Sequence, residues 1–147
     1  MKSLLTLVFI VSLLCLSLVS AATLVEDATW EQDLAQLHAS SVAWGDVDGD
    51  GDADLALTGC SEISCEESTI QAYIYLNTGT SFEESSAYES NLTGVYNASL
   101  VWMDVNNDAK LDLVVAGVAA SGRIANVYLN DGTTLTDQWA GGKNLFL

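Results

Sequence analysis

The chain has 147 residues, half of them hydrophobic, which suits one packed domain and argues against global disorder. Twenty acidic residues stand against four basic ones, a formal net charge of −16. No basic stripe exists to neutralise phosphates or to dock on anionic lipid, so nucleic-acid binding and charge-driven membrane attachment are excluded.

The N-terminus reads as an export signal. Lys2 is followed by no charged residue until Glu26, and residues 4–19 form the apolar run LLTLVFIVSLLCLSLV. Ser20, Ala21 and Ala22 then supply the small residues of a cleavage site, after Ala21 or Ala22. The rival reading is an uncleaved anchor, for which the run is a little short of the ~20 residues of a comfortable span. Beyond this segment no membrane association is expected. Cys15 sits inside the apolar run behind Leu14, which is too large for a lipidation signal, and reads as filler. Cys60 and Cys65 remain, and in an exported chain they predict a local disulfide. So small a ring contributes roughly 2 kcal/mol in the chain-entropy model.

An internal repeat organises the rest. Residues 42–59, VAWGDVDGDGDADLALTG, match 100–117, LVWMDVNNDAKLDLVVAG, at seven of 18 positions with an offset of 58. Residues 73–82, YIYLNTGTSF, match 126–135, NVYLNDGTTL, at five of ten with an offset of 53. The five-residue change falls where the first copy carries Cys60 and Cys65, so that copy has a longer, stapled loop. Short apolar runs predict strands over residues 40–45, 55–58, 72–76 and 80–83, and again over 100–103, 113–116, 126–129 and 133–136. No segment carries a helical period. Residues 24–33 alternate weakly around Trp30 and resemble the fourth strand of a preceding unit. Four antiparallel strands in each 50–60-residue repeat is the unit of a β-propeller blade, so the expected fold class is all-β, built of propeller blades.

The chemistry concentrates in the loop of the first copy. Asp46, Asp48, Asp50, Asp52 and Asp54 occupy positions 1, 3, 5, 7 and 9 of that loop. Neighbouring carboxylates ~4 Å apart repel by roughly 4 kcal/mol at an effective dielectric of 20, so a cation is expected to gather them. Calcium takes six to eight oxygens in a flexible shell, whereas magnesium demands a tight octahedron. The expected ligands are the side chains of Asp46, Asp48, Asp50 and Asp54 and the main-chain carbonyl of Asp52. Gly51 permits the sharp turn. An EF-hand is excluded because its position 12 is Leu57 and no helices flank the loop. In the second copy the counterparts are Asp104, Asn106, Asp108, Lys110 and Asp112. Asn106 still offers an oxygen, and Lys110 falls where only the carbonyl is needed. Ala109 replaces the glycine and a cationic side chain stands beside the loop, so a weaker or empty site is expected.

The pattern V-x-W-G-D-V-D-G-D-G-D-x-D-L followed by Y-L-N-x-G resembles the FG-GAP repeat of integrin alpha subunits and its VCBS-type relatives in secreted microbial proteins. The likeness spans about residues 28–139, although the Phe-Gly and Gly-Ala-Pro signatures are replaced by Thr58-Gly59-Cys60 and Ala116-Gly117-Val118. It implies four-stranded blades, usually seven to a ring, with calcium in the hairpin between the first two strands of each. It also implies an extracellular scaffold for adhesion or ligand binding.

The expected organisation is a signal peptide over 1–22, a strand of a further blade over 23–39, blades over 40–97 and 98–139, and the start of another over 140–147. Two blades fall short of the four to eight that typically close a ring. The expectation is therefore a truncated reading frame, or a two-blade chain whose open edges pair between copies. Trp30, Trp44, Trp102 and Trp139 recur with the repeat and are expected to anchor cores or blade interfaces. Asn91 and Asn97 head glycosylation sequons in the link between blades. His38, the sole histidine, has no Ser or Cys arrangement around it and is expected to be a loop or packing residue. No nucleophile–base pair or catalytic metal site emerges, so no enzymatic activity is expected. The expected function is an exported, calcium-stabilised module that recognises an extracellular protein or glycan. The alternatives are a non-catalytic appendage of a secreted enzyme and a structural cell-surface protein.

Overall fold

The structure, a computed structural model, describes residues 34–138. The expected signal segment, Cys15, Trp30, Trp139, residues 140–147 and most of 23–39 lie outside the described residues. Within them the fold is all-β. Strands β1 (His38–Gly45), β2 (Asp54–Cys60), β3 (Ile70–Asn77) and β4 (Phe82–Glu84) make one four-stranded sheet. Strands β5 (Tyr96–Met103), β6 (Asp112–Ala119), β7 (Gly122–Asn130) and β8 (Leu135–Asp137) make a second. Both sheets are antiparallel meanders in chain order, consistent with two blades of an incomplete propeller. Six of the strands outrun the apolar runs that predict them because their ends carry small and polar residues, whereas β4 and β8 start two residues later than expected because the turns closed by Thr78 N to Ser81 O and Asp131 N to Thr134 O take up residues 80–81 and 133–134. β2 is buried at all seven positions, as befits a central strand covered on both faces.

The two sheets differ where the repeat offset changes. In blade 2 a two-residue turn, Ala120-Ser121, joins β6 to β7, with Gly122 at φ 115°. In blade 1 a loop with a 3-10 turn at Glu67–Thr69 replaces it, closed by a Cys60–Cys65 disulfide with Cα atoms 5.1 Å apart. Between the blades lies α1 (Ser86–Glu89), a helical turn that the sequence pattern does not predict, since four residues cannot show a period. It is held by burial of Tyr88 and by Glu89 Oε1, which accepts the Ile74 N–H at 2.8 Å.

The blades stack large face onto small face. Registered pairing places Trp102 beside Leu113 and Leu113 beside Tyr128, so all three share one side of blade 2. That side packs with Leu100, Val115 and Leu135 against Ala43, Ala56, Ile74 and Leu76 of blade 1. Gly45 completes the receiving surface, because a Cβ there would stand 2.7 Å from the Trp102 ring. Polar ties cross the seam as well. Trp102 Nε1 donates to Ala43 O at 3.1 Å, Asn130 Nδ2 donates to Val47 O at 2.7 Å, and Val95 N donates to the Thr58 hydroxyl at 2.9 Å.

The outer side of blade 1 repeats this chemistry, and among the described residues no second blade covers it. Leu55, Leu57, Tyr75 and Phe82 are buried beneath residues 34–37, and Ala35 N donates to the Tyr75 hydroxyl at 3.0 Å. Thr93 N makes the matching bond to Tyr128 at 3.1 Å, so the repeat extends through the linkers. Trp102 is the interface anchor expected of the recurring tryptophans. Among the described residues Trp44 has no blade packed against it. It touches Phe82, with ring centroids 5.8 Å apart, but is 57% exposed.

Candidate metal centre

Loop 1 joins β1 to β2. Its first carboxylate organises the backbone: Asp46 Oδ1 accepts the Gly49 N–H at 2.8 Å and Oδ2 the Gly51 N–H at 3.1 Å. Asp48 Oδ1 accepts from Asp50 N at 3.2 Å, and Asp50 Oδ1 from Asp52 N at 2.8 Å. Gly49 and Gly51 lie at φ 81° and 98°, in the left-handed region where a Cβ is strained. This winding brings one carboxylate oxygen from each of Asp46, Asp48 and Asp50 within 4.8 Å of the others, with Asp46 half-buried and the other two exposed. All three donors are hard oxygens on a turn already wound, a set that could hold a hard metal ion.

Asp54 does not join this trio. It opens β2, and strand geometry turns its side chain inward, where it is fully buried. Its Oδ2 accepts the Val47 N–H and its Oδ1 the Asn77 N–H, both at 2.8 Å. Burial, offset in part by those two bonds and reinforced by the charges of Asp48 and Asp50, pushes its carboxyl up from the ordinary value. Asp54 therefore braces the loop against the turn that follows β3. Asp52 is exposed, with its carboxylate near Gly79.

Loop 2, between β5 and β6, is wound the same way. Asp104 accepts from Asp108 N at 3.1 Å and Ala109 N at 3.0 Å, and Asp108 accepts from Lys110 N at 2.9 Å. Asp112 is a brace equivalent to Asp54, buried and bonded to Val105 N at 2.8 Å and Asn130 N at 2.9 Å. Two features differ. Asn107 and Ala109 hold the left-handed positions at φ 60° and 69° where loop 1 has glycines. Asn106 Nδ2 also donates to Asp108 Oδ2 at 3.0 Å, closing the loop with an internal donor. The Lys110 and Asn106 donors hold the Asp108 carboxyl below its usual range. Across an open cleft of about 400 Å³, Asp46 and Asp48 face Lys110 and Gly132 of blade 2.

The turn between β7 and β8 holds its carboxylate with side-chain and backbone donors. Asp131 accepts from the Thr133 hydroxyl at 2.7 Å and from the Thr133 and Thr134 N–H groups at 2.8 and 2.9 Å. These donors lower its pKa to about 2. A depressed carboxylate stabilises the fold above its unfolded value, and that contribution is lost as pH falls through the folded value. Asp131→Asn is expected to flatten the acid limb of stability between about pH 4 and pH 2. Denaturation midpoints of the two proteins across that window check it.

The remaining predicted residues fall apart from this end. His38 is exposed as the first residue of β1, neither in a loop nor packed in the core. Asn91 is exposed in the linker, with Nδ2 donating to Leu135 O at 2.9 Å. Asn97 is exposed too, but lies within β5 at φ 47°, at a break in the β5–β6 register, and not in the link. No family model matches the chain, and neither a curated protein nor a solved structure matches it.

Proposed function

We propose that the chain is an exported, calcium-binding repeat module of β-propeller type that acts in extracellular adhesion or ligand binding, as the likeness to FG-GAP repeats implies. The observation that carries this reading is the convergence of Asp46, Asp48 and Asp50 on a turn that their own backbone bonds hold open to solvent. Those three side chains and the Asp52 carbonyl would hold the ion. Calcium would supply positive charge that cancels their repulsion and fixes the loop. Asp54 is assigned to bracing. Loop 2 holds its shape with Asn106 and Lys110 and would bind calcium more weakly. The partner would be an extracellular protein or glycan, met through the loops at this end.

Calorimetric and thermal titrations test the site. At ten times the dissociation constant, calcium should stabilise the wild type by about 1.4 kcal/mol. Asp50→Ala should abolish most of that gain and Asp108→Ala only a small part. An equal response of wild type and Asp50→Ala to EDTA removes the assignment of loop 1.

A further inference from the structure

We propose that the outer face of blade 1 docks one kind of partner: a β-sheet whose facing strand carries glycine opposite Trp44 and whose adjoining loop offers a main-chain carbonyl to Asn77. The seam inside this chain is the template. Trp44 and Val42 stand where Trp102 and Leu100 stand in blade 2, yet they are 57% and 52% exposed while their counterparts are half-buried against blade 1. The surroundings are already built. Tyr75 is capped by Ala35 as Tyr128 is by Thr93. Asn130 donates to Leu111 O of its own blade and to Val47 O of the neighbour. Asn77, its counterpart, makes the own-blade bond to Ala53 O at 3.2 Å. Among the described residues its amide has no neighbour-blade acceptor.

The same template identifies what cannot dock. The outer face of blade 2 would have to receive Trp44 of a second copy. At the place of Ala43 and Gly45 it presents Val101 and Met103, which are 48% and 47% exposed. In the arrangement of the internal seam a Cβ at the glycine position lies 2.7 Å from the indole. Met103 therefore acts as a stop. Without it, one face meeting a different face would propagate head to tail, because such a contact need not close.

Sedimentation of the intact chain tests this. Wild type should remain monomeric as concentration rises. Val101→Ala/Met103→Gly, which turns blade 2 into a glycine-bearing receiver, should show a weight-average mass that climbs past the dimer. Adding Trp44→Ala to that variant should return it to monomer. A folded double variant that stays monomeric overturns the proposal, as does association that survives Trp44→Ala. Wild-type association abolished by Trp44→Ala overturns it too, since a second copy would then be the occupant. Met103→Gly alone, which removes only a half-exposed side chain, carries the same readout if the double variant does not keep its near-ultraviolet circular dichroism.

Discussion

Asp54→Ala should destabilise the calcium-free protein by about 2–4 kcal/mol, because it leaves two backbone N–H groups without acceptors and each buried orphan costs about 1–3 kcal/mol. The groups are Val47 N, in a residue that is 3% exposed, and Asn77 N. Loss of a buried carboxylate's own desolvation cost offsets part of the penalty and keeps the estimate below the sum. Asp54→Asn should not rescue, since its amide nitrogen would face one of the two N–H groups, donor against donor. Asp50→Ala is the contrast. Its carboxylate is exposed, so in EDTA the change should stay within about 0.5 kcal/mol of wild type. The folded pKa of Asp54 is raised, chiefly by burial. The proton-linked part of its contribution, separate from the two N–H bonds it accepts, is therefore complete below the unfolded value and declines as pH rises through the folded one. Denaturant unfolding of wild type and the three variants with and without calcium separates the roles. If Asp54→Ala weakened the protein only when calcium is present, Asp54 would be a ligand and not a brace.

Spacing alone could not make that distinction. Asp46, Asp48, Asp50 and Asp54 look alike in the sequence, because an odd-position pattern says nothing of where the loop stops and β2 begins. The strand boundary decides: before it side chains gather at the rim, and after it the first one turns inward. The repeat, the strand count and the stapled loop were legible, since two matched blocks and a cysteine pair are local signals. The matching linkers were not. Leu34 and Leu92 agree, but Ala35 and Thr93 share only a backbone N–H, which any residue except proline supplies. Trp44 and Trp102 share sequence context and differ in exposure because burial depends on what lies opposite, and among the described residues only the tryptophan-bearing face of blade 2 has a blade against it.

Asn130 links the site to the stacking. Its amide reaches Val47, the residue between Asp46 and Asp48, so blade 2 holds the backbone of the loop that gathers the acidic trio. Loop 1 therefore belongs to both blades: Asp54 fixes it from within its own sheet, and Asn130 fixes it across the seam. Any change that pushes the blades apart should loosen the loop as well.

Gly45→Ala is the sharpest way to push them apart. The glycine is not required by its backbone, since Gly45 is not among the residues with positive φ. Alanine in a strand is intrinsically favoured over glycine by roughly 0.5–1 kcal/mol, so any loss must come from the contact. The added methyl would stand 2.7 Å from the Trp102 ring and 3.0 Å from Leu111 Cδ1. Overpacking of this kind costs about 1–3 kcal/mol. For a domain of this size each kcal/mol lowers the melting midpoint by about 4–8 °C. Met103→Ala, at the matching but half-exposed position of β5, should change stability by less than about 0.5 kcal/mol. A double-mutant cycle completes the argument. Once Trp102→Ala removes the ring, alanine at position 45 should carry little further penalty, giving a coupling energy of about 1 kcal/mol or more. Strictly additive losses would mean that the glycine serves something other than the indole it faces.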